Sequence, residues 1–212
     1  MVKRGEGLSR RDFIKLSAAT SSLISVASVA RPGISAAAQV ATQVQQTGLE
    51  DAFAARTIRM RVNGKEYRAI VYPHDTLVNV LREQLGLIAT KRPCNRGECG
   101  GCTVLVTGVP VLSCTYLAVR ADGKEILTAE GRDFDPVLKT LQDAWVEKDA
   151  SQCGYCQPGM LMSATALLKK NPNPTVSDIK LAMSGNLCRC GTYVNVIEAI
   201  QLAASRLRGG GS

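Results

Sequence analysis

The eight cysteines of the chain fall into two groups of four, and each group has its own spacing. The first quartet has intervals of four, two and eleven residues, and its members are Cys94, Cys99, Cys102 and Cys114. The second quartet reads C-x2-C, a gap of 31 residues, then C-x-C, and its members are Cys153, Cys156, Cys188 and Cys190. Four thiolates can complete the coordination of one [2Fe–2S] cluster. The two sets therefore predict two clusters that carry single electrons.

Other uses of cysteine fit these spacings less well. The first spacing is the plant-type [2Fe–2S] pattern, whereas structural zinc sites favour paired C-x2-C motifs. Cysteine makes up under about 5% of the chain, below the composition of a disulfide scaffold. A Rieske centre needs two histidines, and the chain has one, His74, which we expect at the surface before a helix. A c-type haem needs histidine where Gln157 follows the C-x-x-C pair.

Residues 1–38 are predicted to be a twin-arginine signal peptide. Residues 9–15 read Ser-Arg-Arg-Asp-Phe-Ile-Lys, and a weakly apolar stretch follows. That stretch is roughly 15 residues long, short of the roughly 20 that span a bilayer, so a retained anchor is the less favoured alternative. Cleavage is expected after Ala38, or after Ala30 as a second choice. We therefore predict a periplasmic protein with no membrane span in the mature chain, exported folded with its cofactors installed.

The basic charge of the precursor is not an argument for nucleic-acid binding. The formal net charge is +8, and removing the signal, with its six basic and two acidic residues, leaves +4. Each oxidised cluster with four thiolates contributes about two negative charges, which brings the loaded protein near neutrality. Aromatic residues make up only 4% of the chain, and no basic stripe interleaves with them.

The N-terminal half has the pattern of a small sheet with one helix. Residues 39–56 are predicted to be a linker or arm. Strands are expected at 57–62 and 66–71, joined by an Asn63-Gly64 hairpin turn, and at 103–106 and 126–129. A helix capped by Asp75 or Thr76 should end at Gly86, and residues 108–110 should turn the chain toward the last cysteine of the first quartet. The order over 57–132 resembles a ferredoxin-like β-grasp domain.

The C-terminal half has helical periodicity. Helices are predicted at 136–146, 158–168, 176–183, with Thr175 as its cap, and 194–207. Residues 133–208 should therefore form a four-helix [2Fe–2S]-binding domain, followed by a flexible tail at 209–212. The predicted fold class is α+β, with an N-terminal ferredoxin-like β-grasp domain before this helical domain. Glycines near both quartets should let backbone N–H groups approach the cluster sulfurs; they are Gly97, Gly100, Gly101, Gly154 and Gly191.

Three segments together resemble the small iron–sulfur subunit of the xanthine oxidase family of molybdenum hydroxylases. They are Cys94 to Val104, reading CNRGECGGCTV, Gln152 to Met160, reading QCGYCQPGM, and Met183 to Cys190, reading MSGNLCRC. The resemblance covers about residues 57–205. It implies that substrate is oxidised on a separate large subunit that carries a molybdopterin cofactor, so that this chain is not catalytic alone.

The resemblance also implies an order and two roles. The second quartet would hold the cluster nearer molybdenum and the first quartet the farther one, from which electrons leave to an FAD-binding subunit or a cytochrome c. Cys190 would also lie beside the pterin, and Gln152 could hydrogen-bond it.

The export signal makes the chain look most like periplasmic aldehyde oxidoreductases. Pro93 stands where the family usually has glycine, and Gly191-Thr192-Tyr193 follows the second quartet where many members have Thr-Gly-Tyr. That order and Gln157 look like isoquinoline-type oxidoreductases. Oxidation of an aldehyde to a carboxylic acid is the expected partner reaction. The alternatives are an N-heterocycle hydroxylase or a free-standing ferredoxin-like carrier.

Overall fold

The computed structural model describes residues 53–209. The predicted signal peptide, residues 39–52 of the arm and the last three residues of the tail lie outside this part of the chain. The strands are β1 (Arg56–Val62), β2 (Lys65–Val71), β3 (Thr103–Val106), β4 (Val109–Leu112) and β5 (Glu125–Leu127). The helices are α1 (Leu77–Asn79), α2 (Pro136–Glu147), α3 (Gln157–Lys170), α4 (Val176–Met183) and α5 (Tyr193–Gly209). A π-helical turn, Val80–Gln84, continues α1, and a 3-10 turn, Ala118–Ala121, precedes β5.

The β1–β2 hairpin forms as its sequence predicts. Alternate residues of β1 are buried, because side chains of a strand point to opposite faces. Asn63 and Gly64 both have positive φ, 51° and 78°, as a two-residue type I′ turn requires. The Asn63 amide also bonds Thr128, accepting from its N–H and donating to its hydroxyl, each at 2.9 Å. The turn therefore ties the hairpin to the segment after β5.

All five strands form one sheet in the order β2-β1-β5-β3-β4. The pair β1 and β5 is parallel, and the other three pairs are antiparallel. One face of the sheet covers a core formed with α1, its π-helical turn and the 3-10 turn. This is the β-grasp arrangement expected for the N-terminal domain.

Strand β3 is buried on both faces and joins the two domains. Val104 and Val106 pack in the core of the sheet domain, whereas Leu105, between them, packs in the core of the helical domain. Leu127 on the neighbouring strand β5 also lies in the helical core. The two predicted domains therefore share an apolar junction.

The four long helices form the C-terminal domain that was predicted. Helix α2 packs on α3 and α5, and α3 also packs on β3 and α4. Their shared core includes Trp145, which is 1% exposed and donates its ring N–H to the Ser151 hydroxyl. The helix at 176–183 has the predicted bounds, and the other three extend one or two residues beyond them. Within residues 53–209, no helix is long and apolar enough to cross a bilayer.

Two of the helices begin at side-chain caps that the sequence favours. Thr175 and Asp178 form a capping box at the start of α4, as expected for a threonine at this position. Asp135, at the start of α2, accepts from the Leu138 N–H and pairs with Lys169 at the end of α3. A cap of this kind stabilises a helix by about 1 kcal/mol.

Two local predictions are wrong. Residues 108–110 were expected to form a turn, but the turn lies at Thr107 and Gly108, whose φ values are 51° and 79°, and β4 begins at Val109. Pro110 is tolerated because β4 is an edge strand. The helix after residue 76 is a single α turn continued as π-helix, and neither predicted cap operates: the Thr76 hydroxyl is buried without a partner, and Asp75 accepts from the Tyr72 N–H instead.

Candidate metal centres

The first quartet lies at one end of the β3–β4 hairpin, where a loop leads into β3 and the chain leaves β4. Cys94, Cys99 and Cys102 belong to the loop before β3, and Cys114 follows β4 by two residues. The antiparallel pairing of β3 and β4 brings Cys102 and Cys114 together, and the Ser113 hydroxyl donates to the Cys102 carbonyl at 2.6 Å. Both of these thiols are buried with Val78.

Backbone geometry in the loop points N–H groups at sulfur. Positive φ at Asn95, Gly97 and Gly100 curls the loop around Cys94. The Arg96 N–H above all, with the Glu98 N–H at 3.4 Å from Cys94 Sγ, lowers the pKa of the Cys94 thiol to about 6. Burial, followed by the neighbouring Cys102 thiol, raises the pKa of Cys114 to about 11. This arrangement can stabilise negative charge on the Cys94 sulfur and keeps water from the Cys114 sulfur.

The second quartet lies at the starts of two helices. Cys153 and Cys156 precede α3, and Cys188 and Cys190 precede α5. Burial raises the pKa of Cys188, but bonds from the Thr192 hydroxyl and N–H outweigh it and hold that pKa at about 7. Burial, then the Cys188 thiol, raises the pKa of Cys156 to about 12. Cys190 is half-buried, and Cys153 is exposed.

Neighbouring thiols approach one another in both quartets, in two pairs in the first and in one pair in the second. Interactions join Cys94 with Cys99, Cys102 with Cys114, and Cys156 with Cys188. Among residues 53–209, no three cysteine, histidine or acidic side chains converge closely enough to hold one metal ion. A [2Fe–2S] cluster divides four thiolates between two irons, and the two thiol pairs of the first quartet suit that division.

The two quartets meet at a cavity of about 410 Å³ between the domains. Cys99 of the first quartet lines it together with three members of the second, Cys153, Cys156 and Cys188. Leu187, next to Cys188, donates its N–H to the Cys99 carbonyl at 3.0 Å. Groups held by the two quartets would therefore be separated by very little protein.

Two residues were predicted to face a molybdopterin: Cys190, which belongs to the second quartet, and Gln152, which precedes it in the chain. Gln152 is exposed beside Cys153, and Cys190 lies two residues beyond Cys188. The predicted surface residue His74 is exposed and stacks on Tyr72, with ring centroids 5.8 Å apart.

Sequence reasoning missed two residues that build the junction. A Cβ on Gly159, near the start of α3, would lie 2.1 Å from the Gly100 carbonyl oxygen. Asn186, two residues before Cys188, donates its amide to that same oxygen at 3.0 Å. A glycine inside a helix is a weak sequence signal of close packing, and Gly159, inside α3, is such a glycine.

Comparison with known proteins places both cysteine regions in described domains. Residues 60–128 match a 2Fe-2S iron-sulfur cluster binding domain, and residues 128–201 match a [2Fe-2S] binding domain. The chain thus has two [2Fe–2S] binding domains, as predicted.

Relatives align over most of their own length. The nicotinate dehydrogenase small FeS subunit of Eubacterium barkeri is 45% identical, over 71% of this chain and 96% of that protein. The aldehyde oxidoreductase iron-sulfur-binding subunit PaoA of Escherichia coli O157:H7 is 38% identical, over 95% of this chain and 90% of that protein.

A solved structure has the same fold as this chain over most of its length. A chain of quinoline 2-oxidoreductase from Pseudomonas putida 86 is matched with a TM-score of 0.69 and 41% identity, over 74% of this chain and 99% of that one. The spacing of the cysteines, the two matched domains and these relatives have one explanation. This chain belongs to the small iron–sulfur subunits of the xanthine oxidase family of molybdenum hydroxylases.

Proposed function

We propose that this iron–sulfur electron-transfer subunit serves a periplasmic enzyme that oxidises an aldehyde to a carboxylic acid. Electrons would arrive one at a time from a molybdopterin on the large subunit and leave to an FAD-binding subunit or a cytochrome c. The observation that carries the proposal is the shared cavity, where Cys99 of the first quartet lies with Cys153, Cys156 and Cys188 of the second. Such proximity suits a two-site electron relay.

We assign one cluster to each quartet. The first would be held by Cys94, Cys99, Cys102 and Cys114, and the second by Cys153, Cys156, Cys188 and Cys190. Each bound cluster would supply reversible one-electron chemistry. The protein supplies thiolates and hydrogen bonds to them: the Arg96 and Glu98 N–H groups at Cys94, and the Thr192 hydroxyl at Cys188. Donors of this kind help to set the reduction potential.

The face around the second quartet is suited to cover by the large subunit. It carries the exposed thiol of Cys153 and four apolar side chains that are 38–68% exposed, namely Tyr155, Leu187, Tyr193 and Val194. We call these four residues the apolar rim. Tyr155, Leu187 and Tyr193 line the shared cavity together, and Val194 adjoins Tyr193 in sequence. Exposed apolar patches mark interaction sites, and a partner here would exclude water from the second quartet. Gln152 and Cys190 would then face the molybdopterin. A free-standing carrier would leave this face exposed to water.

The apolar rim predicts a sensitive position for assembly. Leu187→Glu places a charge in the apolar rim beside the shared cavity, so we expect affinity for the large subunit to fall at least tenfold, because an apolar anchor residue of an interface is worth about 2 kcal/mol or more. Val146→Glu, at an exposed apolar position on α2 outside the rim, is the matched control. Surface plasmon resonance with the loaded proteins measures both. Equal affinities for the two variants would show that the apolar rim is not part of the interface.

Two substrate classes have support. The similarity to the aldehyde oxidoreductase subunit extends over 95% of the chain, whereas the nicotinate and quinoline relatives match 71% and 74% of it. The longer match extends before the two [2Fe–2S] domains, into the region of the proposed signal. It supports export like that of the aldehyde oxidoreductase subunit, and through that likeness we favour an aldehyde. Gln157 and Gly191-Thr192-Tyr193, with those two relatives, support an N-heterocycle as the second candidate.

Turnover by the reconstituted complex distinguishes the candidates and tests the function. The large subunit should oxidise an aldehyde repeatedly only when this chain and an electron acceptor are both present. Without this chain, substrate oxidation should stop after one turnover, because the large subunit could not pass on the electrons that it has accepted. Repeated oxidation of quinoline or nicotinate, but not of aldehydes, would establish the second candidate. Sustained turnover without this chain would refute its role as the relay.

The periplasmic location rests on the proposed signal at residues 1–38. Arg10 and Arg11 are its defining pair, and the twin-arginine route carries folded proteins. Filling both quartets before export would keep free thiols from an oxidising compartment. Replacing Arg10 and Arg11 with lysine should therefore retain the loaded protein in the cytoplasm, as cell fractionation followed by immunoblotting would detect.

A further inference from the structure

Asn186 connects the two cysteine regions through its side chain. Its residue is 4% exposed, and its Nδ2 donates to the Gly100 carbonyl at 3.0 Å. Gly100 lies between Cys99 and Cys102, and Asn186 lies two residues before Cys188. The bond therefore joins the loop of the first quartet to the loop of the second across 86 residues of chain.

The orientation of the Asn186 amide is fixed by a third element. Ser163 of α3 donates its hydroxyl to Asn186 Oδ1 at 2.8 Å. Because the oxygen accepts from Ser163, the NH₂ group must point to Gly100. Both ends of the side chain are thus used, which defines one position for the amide.

The Gly100 carbonyl is a shared anchor. It accepts from the Thr103 N–H at 3.1 Å and the Thr103 hydroxyl at 2.7 Å as well as from Asn186. A Cβ on Gly100 would lie 2.3 Å from the Gly185 carbonyl oxygen, so the two backbones are in direct contact. The Leu187 N–H bond to the Cys99 carbonyl lies beside this contact.

Apolar packing does not close this part of the junction. A cavity of about 280 Å³ opens beside Asn186, and its lining includes Glu98, Thr103, Ser163 and Gly185. At a buried position, losing a hydrogen bond costs the desolvation of the group that is left unpaired. Asn186 supplies a side-chain link between the two loops here, beside the backbone bond from Leu187 to Cys99.

We propose that Asn186 is a positioning residue that sets the spacing of the two clusters and so the rate at which an electron passes between them. This inference rests on the proposed relay. In the step concerned, a cluster held by the second quartet would be oxidised by one electron, and a cluster held by the first quartet would be reduced by it. No bond forms or breaks and no proton moves in this chain. Asn186 contributes by holding the loops at a fixed distance.

Two variants test the donor. Asn186→Ala removes both hydrogen bonds, and Asn186→Asp keeps the size and the bond from Ser163 but loses the donor to Gly100. Asn195→Ala is the matched control, because Asn195 also donates its amide to a backbone carbonyl, that of Lys148, but within the helical domain. If Asn186→Ala folds poorly, Ser163→Ala loosens the same amide by removing a single bond.

Amide exchange and cluster coupling supply the measurements. In the oxidised loaded protein, hydrogen exchange at Leu187 should be about ten- to a hundredfold faster in both Asn186 variants, since losing a buried hydrogen bond favours local opening by that factor. In the fully reduced protein, the magnetic coupling between the clusters should weaken in EPR spectra, and flash-induced electron transfer between them should slow. Iron content and the reduction of the second cluster should stay at wild-type values.

The outcomes separate this inference from the relay itself. Amide exchange at Leu187, magnetic coupling and the electron-transfer rate are compared in both Asn186 variants and in Asn195→Ala. Equal values would show that Asn186 does not position the clusters, while the relay would stand. A wild-type protein without two coupled signals would instead refute the relay. Faster exchange with unchanged transfer would also overturn the inference, because it would make Asn186 purely structural.

Discussion

Replacing Gly159 with alanine is expected to break the junction between the two domains and to prevent stable loading of the clusters. The added Cβ would lie 2.1 Å from the Gly100 carbonyl oxygen and 2.9 Å from the Gly101 Cα. Both obstacles are backbone atoms, and the Gly100 carbonyl is held by donors from Thr103 and Asn186. Neither side can yield without losing hydrogen bonds, so we expect a loss of about 3 kcal/mol or more.

Gly185→Ala is the matched control for this substitution. It adds the same methyl group in the same junction, but nothing lies within 4 Å of the new Cβ. Its effect should stay within about 0.5 kcal/mol. Denaturant unfolding followed by circular dichroism, with iron analysis of the purified variants, compares the two. A Gly159→Ala protein that loads both clusters and unfolds at the wild-type midpoint would contradict the packing described here.

Single cysteine substitutions in the two quartets are expected to remove different clusters, one in each variant. Cys114→Ala removes a thiol from the first quartet and Cys156→Ala removes one from the second. Each variant should fall from about four irons per chain to about two, because three thiolates do not complete a [2Fe–2S] site. Each should lose one of two EPR signals, and the signal that one variant loses should be the signal that the other keeps.

The two cysteine variants serve as each other's controls. Since the quartets share a cavity through Cys99, the surviving signal should shift slightly but persist. Loss of both signals in both variants, or zinc in place of iron, would contradict the assignment of one cluster to each quartet. Iron and sulfide analysis with EPR of the reduced proteins gives the result.

The parts of the site that depend on local spacing could be predicted from the sequence. The short motifs C-x4-C-x2-C, C-x2-C and C-x-C predicted the two [2Fe–2S] binding domains, and periodicity predicted the helices, because these signals lie within a few residues of each other. The hairpin at Asn63 and Gly64 was predictable for the same reason. The turn before β4 was not: Gly108 and Pro110 are usual turn residues, and nothing local marks Thr107 for a positive φ. The grouping of the cysteines into two ligand sets across the longer gaps stays a prediction.

The junction between the quartets could not be predicted in this way. Asn186 and Gly100 meet only after the strands pair and α3 packs on β3, and the sequence carries no local trace of that distance. The double burial of β3 has the same origin, since Leu105 packs in a core formed by distant helices. Long-range packing therefore determines how close the two quartets lie, and spacing determines what they can bind.

The direction of electron flow is the central claim, and rapid-freeze EPR of the assembled complex tests it most directly. After aldehyde is mixed with the complex, the Cys114→Ala protein should show its remaining, second-quartet cluster reduced. In the Cys156→Ala complex, the first-quartet cluster should stay oxidised over the time of wild-type turnover, because its electrons arrive through the second quartet. Reduction of that cluster at the wild-type rate in the Cys156→Ala complex would contradict the account.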